Sequence, residues 1–130
     1  MQKGLETTIG RLRAAGQRVV IVQSIPTFRD PPPIWDPRAC NAATVEHAAC
    51  SRQLPRTVVA ALQQGSRVAV ERASTAAGAT VLDLRDVFCD SVECSTTRDG
   101  TLVYSDAAHI TVAESEQLGP QFSRAIGSST

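Results

Sequence analysis

The sequence predicts an α/β domain, and three observations carry that reading. Two short apolar runs rich in β-branched residues, Val19-Val20-Ile21-Val22 and Thr80-Val81-Leu82, are too brief for helices and too apolar for loops. Each follows a segment whose apolar residues recur at helical spacing, and a third such segment closes the chain. Between helix and strand stands a glycine on both occasions, Gly16 and Gly78, at the position where a helix stops. The order helix, strand, helix, strand, helix is that of a parallel sheet covered by helices.

The elements follow in order. Leu5, Ile9 and Leu12 mark the apolar face of the first helix. Arg18 to Gln23 reads as a strand buried on both faces, the pattern of an interior strand in a parallel sheet. The proline-dense stretch from Pro26 to Pro37 must be loop, and Asp36 to Cys50 leaves room for a short helix. From Arg56, the residues Val58, Leu62, Ala69 and Ala73 mark one face of a long helix that ends at Gly78, with Gly65 as a point of bending or interruption. Ala79 to Leu84 is the second strand. Cys89 to Tyr104 reads as a loop carrying an Asp99-Gly100 turn. Thr111-Val112-Ala113-Glu114 matches a capping box. It opens a final helix that should bury Leu118 and Phe122 and be kinked or restarted at Pro120. The Gly127-Ser128-Ser129-Thr130 tail should be mobile.

Two strands are too few. An interior parallel strand needs neighbours on both edges, and a two-stranded sheet is marginal alone. Residues 1–130 are therefore expected to be the C-terminal portion of a larger doubly wound parallel-sheet domain whose first strands are absent.

Composition narrows the function. With 13 basic and 13 acidic residues the formal charge is zero, which removes the electrostatic case for nucleic acid as a partner. Arginines are scattered and read as solvated helix faces. No apolar run approaches the roughly 20 residues of a membrane span, and the N-terminus lacks the apolar core of a signal peptide.

The four cysteines fall into two local pairs, Cys40 with Cys50 and Cys89 with Cys94, neither at C-x-x-C spacing. Cys40, His47 and Cys50 could begin a zinc site but offer no obvious fourth ligand. Two local disulfides fit better, with Cα separations of about 4.4–6.8 Å. Disulfides imply an oxidising compartment, so the chain is expected to be exported by a segment that lies upstream. His47 itself reads as a surface residue. Trp35, in the Pro-rich loop, could wall a sugar ring or anchor its loop, and the anchor fits the usual burial of Trp better.

The most informative chemistry lies near the C-terminus. In Tyr104-Ser105-Asp106-Ala107-Ala108-His109 a carboxylate precedes a histidine by three residues. Such a pair can form the orienting half of a Ser-His-Asp relay: the carboxylate accepts the Nδ1 proton and leaves Nε2 free to take a proton from a serine. A histidine that merely caps or packs at a helix start is the competing reading.

The string Val87-Phe88-Cys89-Asp90, Cys94, Asp99-Gly100-Thr101-Leu102-Val103-Tyr104-Ser105-Asp106 and His109-Ile110-Thr111 resembles the end of SGNH-type domains. It is similar in particular to the extracytoplasmic SGNH domains fused to integral-membrane acyltransferases that O-acylate bacterial surface glycans. The resemblance covers nearly the whole chain. It implies a three-layer, flavodoxin-like doubly wound fold, with Asp106 and His109 as catalytic residues and Ser-dependent O-acyl, typically O-acetyl, transfer or ester hydrolysis. It further implies an acyl donor and a glycan acceptor as substrates, and no metal or organic cofactor. The partners would be the upstream part of the same domain and a membrane acyltransferase domain, at an extracytoplasmic location. The family's Gly-Asp-Ser nucleophile motif does not occur in these residues. Ser24, in a Ser-Ile-Pro setting, does not match a nucleophile turn, and Ser105 occupies a variable position. This chain is thus expected to carry the base and its orienter without the nucleophile. A non-catalytic remnant or glycan-binding module of the same fold is the alternative.

Overall fold

The structure, a computed structural model, describes residues 1–40 and 50–127. Within them the chain divides into two units, Met1–Ser24 with Gln63–Leu84 and Gly119–Thr130, and Ile25–Leu62 with Arg85–Leu118.

The first unit holds the regular α/β elements. Helix α1 (Gln2–Ala14) buries Ile9, while Leu12, expected on the same face, is exposed. Gly16 follows in the left-handed region at φ 77°, which a residue with a Cβ enters only at a cost. Strand β1 (Val20–Val22) pairs in parallel with β3 (Thr80–Leu82), Val20 opposite Thr80 and Val22 opposite Leu82. Flanking hydrogen bonds from Thr80 N to Val19 O and from Gln23 N to Leu82 O, each 2.9 Å, extend the ladder toward the range read from sequence. The expectation of burial on both faces is corrected: Val20 and Ile21 are half-buried and Val22 is 41% exposed. The physical reason is that the sheet holds only these two strands among the described residues, so no further strand flanks Val22.

Helix α2 (Arg56–Ala77) starts in the second unit and continues in the first without interruption at Gly65. Its buried positions are Val59, Gln63, Ala73 and Ser74, and Leu62 is 54% exposed. Of the expected face Ala73 is buried, whereas in the first turns Val59 and Gln63 are buried in place of Val58 and Leu62. Gly78 stops the helix at φ 79°. The C-terminal segment is two helices, α4 (Val112–Gln117) and α5 (Gly119–Gly127), so Pro120 sits in the first turn of a restarted helix, where its missing N–H costs nothing. Helix α5 packs on β3. It buries Ala125 and leaves Phe122 at the surface, against expectation. The terminal Ser128, Ser129 and Thr130 lie outside the described residues.

The second unit is built from short pieces around an aromatic core. Beyond a 3₁₀ turn at Pro37–Ala39, capped by the Asp36 side chain on Arg38 N, strand β2 (Gln53–Pro55) pairs antiparallel with β4 (Glu93–Ser95). Helix α3 (Arg85–Phe88) leads into the Cys89–Cys94 loop. Strands β5 (Thr97–Arg98) and β6 (Thr101–Leu102) form a hairpin whose turn residues, Asp99 and Gly100, have φ of 49° and 73°. Positive φ at both central residues is the signature of the tight hairpin turn that Asp-Gly favours. The segment read as a loop therefore contains three short strands.

Both cysteine pairs form disulfides, Cys40–Cys50 and Cys89–Cys94, with Cα separations of 5.1 and 3.9 Å. The second lies below the expected range because Cys89 and Cys94 face each other as an antiparallel bridge pair, where backbones approach most closely. The short helix expected between Asp36 and Cys50 falls, beyond Cys40, outside the described residues, as does His47. Among the described residues no helix is long and apolar enough to cross a membrane.

Candidate active site

The site is one turn between the second unit's last strand and α4. Its base is closed by the bridge between Tyr104 and Ile110, by Ser105 N donating to His109 O at 2.8 Å, and by Thr111 N donating to Val103 O at 2.9 Å. Inside this frame Asp106 folds the turn with its own side chain. Oδ1 accepts from Ala108 N at 2.7 Å and from His109 N at 2.9 Å, the local side-chain-to-backbone bonding at which Asp excels. The same carboxylate meets His109 Nδ1 at 3.0 Å through Oδ1 and 2.8 Å through Oδ2. The pairing expected from the three-residue spacing is present within the range of a productive orienter–base contact.

This arrangement sets the electrostatics. The Ala108 N–H first, then the His109 side chain, hold the Asp106 carboxyl below its ordinary value of 3.8. Asp106 is thus ionised near neutral pH, and an ionised partner at Nδ1 fixes the tautomer that leaves Nε2 as the proton acceptor. Both side chains are more than half exposed. Among the described residues no hydroxyl donates to His109 Nε2.

Ser105, the nearest serine in sequence, is committed elsewhere. Its Oγ donates to His109 O at 3.1 Å or Ile110 O at 3.3 Å, so it braces the turn. Trp35 is 7% exposed, which makes it chiefly an anchor of its loop, although it also lines a cavity beside Asp106.

What positions the turn is Tyr104, which is fully buried. Its hydroxyl donates to Pro26 O at 2.8 Å, and its ring meets Phe28 and Phe88 edge-on at 4.9 and 5.7 Å. Burial pushes the phenol well above its ordinary value, with the Glu114 carboxylate adding to the shift, so Tyr104 remains a donor throughout the physiological range. Phe28 N donates to Ala107 O at 2.7 Å, tying the Pro-rich loop to the turn. The Arg52 guanidinium holds that loop from its other side, donating to Pro31 O and Pro33 O.

Several residues of the string singled out in the sequence have identifiable physical tasks. Cys89 and Cys94 close a loop that Asp90 folds by accepting from Val92 N at 2.7 Å and Glu93 N at 2.8 Å. Those bonds hold the Asp90 carboxyl below its ordinary value. Asp99 and Gly100 turn the hairpin that presents Arg98. The Arg98 guanidinium pairs with the buried Glu114 at 3.1 Å. Here the capping box is only half made: Thr111 Oγ1 accepts from Glu114 N at 3.2 Å, but the Glu114 carboxylate goes to Arg98 instead of back to the cap. Sequence reasoning missed this pair and the positioning roles of Pro26, Phe28 and Arg52. Residue spacing carried no signal for either, because the contacts join distant segments.

Comparison with known proteins gives one family. No curated protein matches the chain, and no solved structure does. The model of the SGNH domain (fused to AT3 domains) matches residues 1–124. The mixed helices and strands, with small parallel and antiparallel sheets, are consistent with that assignment. The chain belongs to the family of SGNH domains fused to AT3 acyltransferase domains.

Proposed function

We propose that this chain is the C-terminal part of a three-layer, doubly wound SGNH acyltransferase or esterase domain. In this reading it supplies the base, His109, and its orienter, Asp106, for O-acyl transfer to or from cell-surface glycans. The observation that carries the reading is the Asp106–His109 contact of 2.8 Å within a turn that the Asp itself folds. The nucleophilic serine comes from outside these residues. Two facts support that part: no Gly-Asp-Ser occurs in the sequence, and the adjacent serine is engaged in bracing the turn. The two disulfides favour an extracytoplasmic setting, and the AT3 fusion typical of the family favours a membrane acyltransferase domain in the same polypeptide.

The chemistry is a two-step displacement. His109 Nε2 takes the proton of the serine as its Oγ attacks the acyl carbonyl of the donor, and the donor's leaving group departs with that proton. A glycan hydroxyl, or water, then gives its proton to Nε2 and attacks the acyl-serine, and the proton returns to the serine. Asp106 keeps Nδ1 protonated throughout and stabilises the imidazolium in both steps. In this reading the transferred unit is acetyl, as the family resemblance implies, and the reaction needs no metal or organic cofactor.

The test is acetyl-ester turnover. The 130-residue chain alone should give the background rate. A longer polypeptide that includes an upstream Gly-Asp-Ser block should turn over, and His109→Ala should lower its rate by about a thousandfold or more. Turnover in the longer polypeptide that survives His109→Ala undiminished would remove the catalytic assignment.

A further inference from the structure

A cavity of about 600 Å³ opens beside Asp106, between the Pro-rich loop and the dyad turn. Its size is that of a pocket for a sugar-sized ligand, and Ile34, Trp35 and Pro37 give it apolar surface. Most of its polar groups are already satisfied. The Arg38 guanidinium forks onto the Asp36 carboxylate at 2.9 and 2.6 Å, the Ser105 hydroxyl is held by backbone carbonyls, and Asp106 is folded into its own turn. Arg29 differs from these. It lines the same cavity, is exposed, and among the described residues makes no hydrogen bond or ion pair.

A guanidinium presents five donors in a rigid fork that matches a carboxylate in two parallel bonds. An uncommitted fork in a cavity beside Asp106 is therefore placed to receive a carboxylate. We propose that the cavity binds the substrate and that Arg29 selects one bearing a carboxylate, carried either by the acceptor sugar or by the acyl group. This inference rests on the reading of Asp106 and His109 as an acyl-transfer base and its orienter. Arg29 acts on binding, so it determines specificity and takes no part in proton transfer.

The experiment is a titration of the 130-residue chain followed by amide chemical shifts. Two matched pairs of probes are used, methyl glucuronoside against methyl glucoside and monomethyl succinate against methyl acetate. In at least one pair the acidic probe should bind about tenfold more tightly than its neutral partner and shift the amides of Arg29, Trp35, Asp36 and Ala107. Arg29→Gln should abolish that preference, while Arg29→Lys, with one point charge in place of the fork, should keep part of it. His109→Ala should leave the preference intact. Which pair responds identifies whether sugar or acyl group carries the charge. Equal affinity for acidic and neutral probes in both pairs, or a preference unchanged in Arg29→Gln with a native-like spectrum, overturns the proposal. The functional reading fails by a different result, ester turnover in the longer polypeptide that does not need His109.

Discussion

The two units of this chain differ in how they are held together, and the difference runs against their appearance. The first unit has the longer helices and the parallel strand pair, yet its buried side chains are few and mostly small or polar. They are Ile9, Gln23, Gln63, Ala73, Ser74, Leu84 and Ala125. Gln23 Oε1, Ser74 Oγ and Gln121 Oε1 are buried there without a hydrogen-bond partner among the described residues, as is Trp35 Nε1 in the second unit. The second unit has strands of two or three residues and much loop. It nevertheless buries Phe28, Trp35, Leu54, Val59, Phe88, Val103, Tyr104 and Leu118 along with Cys89 and Cys94. Regular backbone and dense packing are thus separated. The irregular unit, which carries the Asp106–His109 pair, is also the one with cross-links and aromatic contacts.

The largest test of this contrast is Tyr104→Ala. Removing a fully buried aromatic that touches two others should cost about 3–5 kcal/mol. Val22→Ala in the first unit should cost under about 1 kcal/mol, since its side chain is substantially exposed. Chemical denaturation measures both, and equal costs would erase the distinction. Next in size is the pair of replacements Cys89→Ala with Cys94→Ala. On the loop-entropy model a cross-link this short is worth about 2 kcal/mol, and the loss should appear as increased amide exchange around β2 and β4. Tyr104→Phe sharpens the comparison further. It keeps the ring and strands the buried Pro26 carbonyl, which should cost about 1–2 kcal/mol and broaden the amide signals of the dyad turn.

The smallest effect is a titration. Asp106 should protonate below its ordinary value of 3.8. Because folding depresses this pKa, the contribution to stability is present above the unfolded value and is lost as pH falls through the folded one. Carboxyl carbon shifts would follow it. His109→Ala should reduce the depression without abolishing it, since the Ala108 N–H is the leading cause. A return to 3.8 in that variant would reverse the order of causes.

How much of this was legible in the sequence depends on the reach of each interaction. Local devices read well. Gly16 and Gly78 as helix stops, Asp99-Gly100 as a tight turn, Thr111 as a cap and the Asp106–His109 spacing all act within a few residues. The parallel strand pair was legible from its β-branched runs. Strands β2 and β4 were not, because Gln53-Leu54-Pro55 and Glu93-Cys94-Ser95 have no strand pattern and are made by pairing some 40 residues apart. The face of α2 was misread at Leu62 because helical spacing alone does not say which of two adjacent stripes finds a partner. The dyad was therefore foreseeable, and the cavity beside it was not. Its far wall is set by the bonds of Tyr104 to Pro26, Phe28 to Ala107 and Arg52 to the proline carbonyls.

Asp106 Oδ1 serves two backbone amides and an imidazole at once, and this has a consequence for how such domains diverge. Asp106 and His109 sit in a stretch of four residues whose pairing is set chiefly by bonds among those residues. Side chains of the Pro-rich loop that make no bond to the turn, Arg29 among them, can be exchanged without altering the Asp106–His109 pairing. The wall of the cavity and the pairing beside it can therefore change independently of one another.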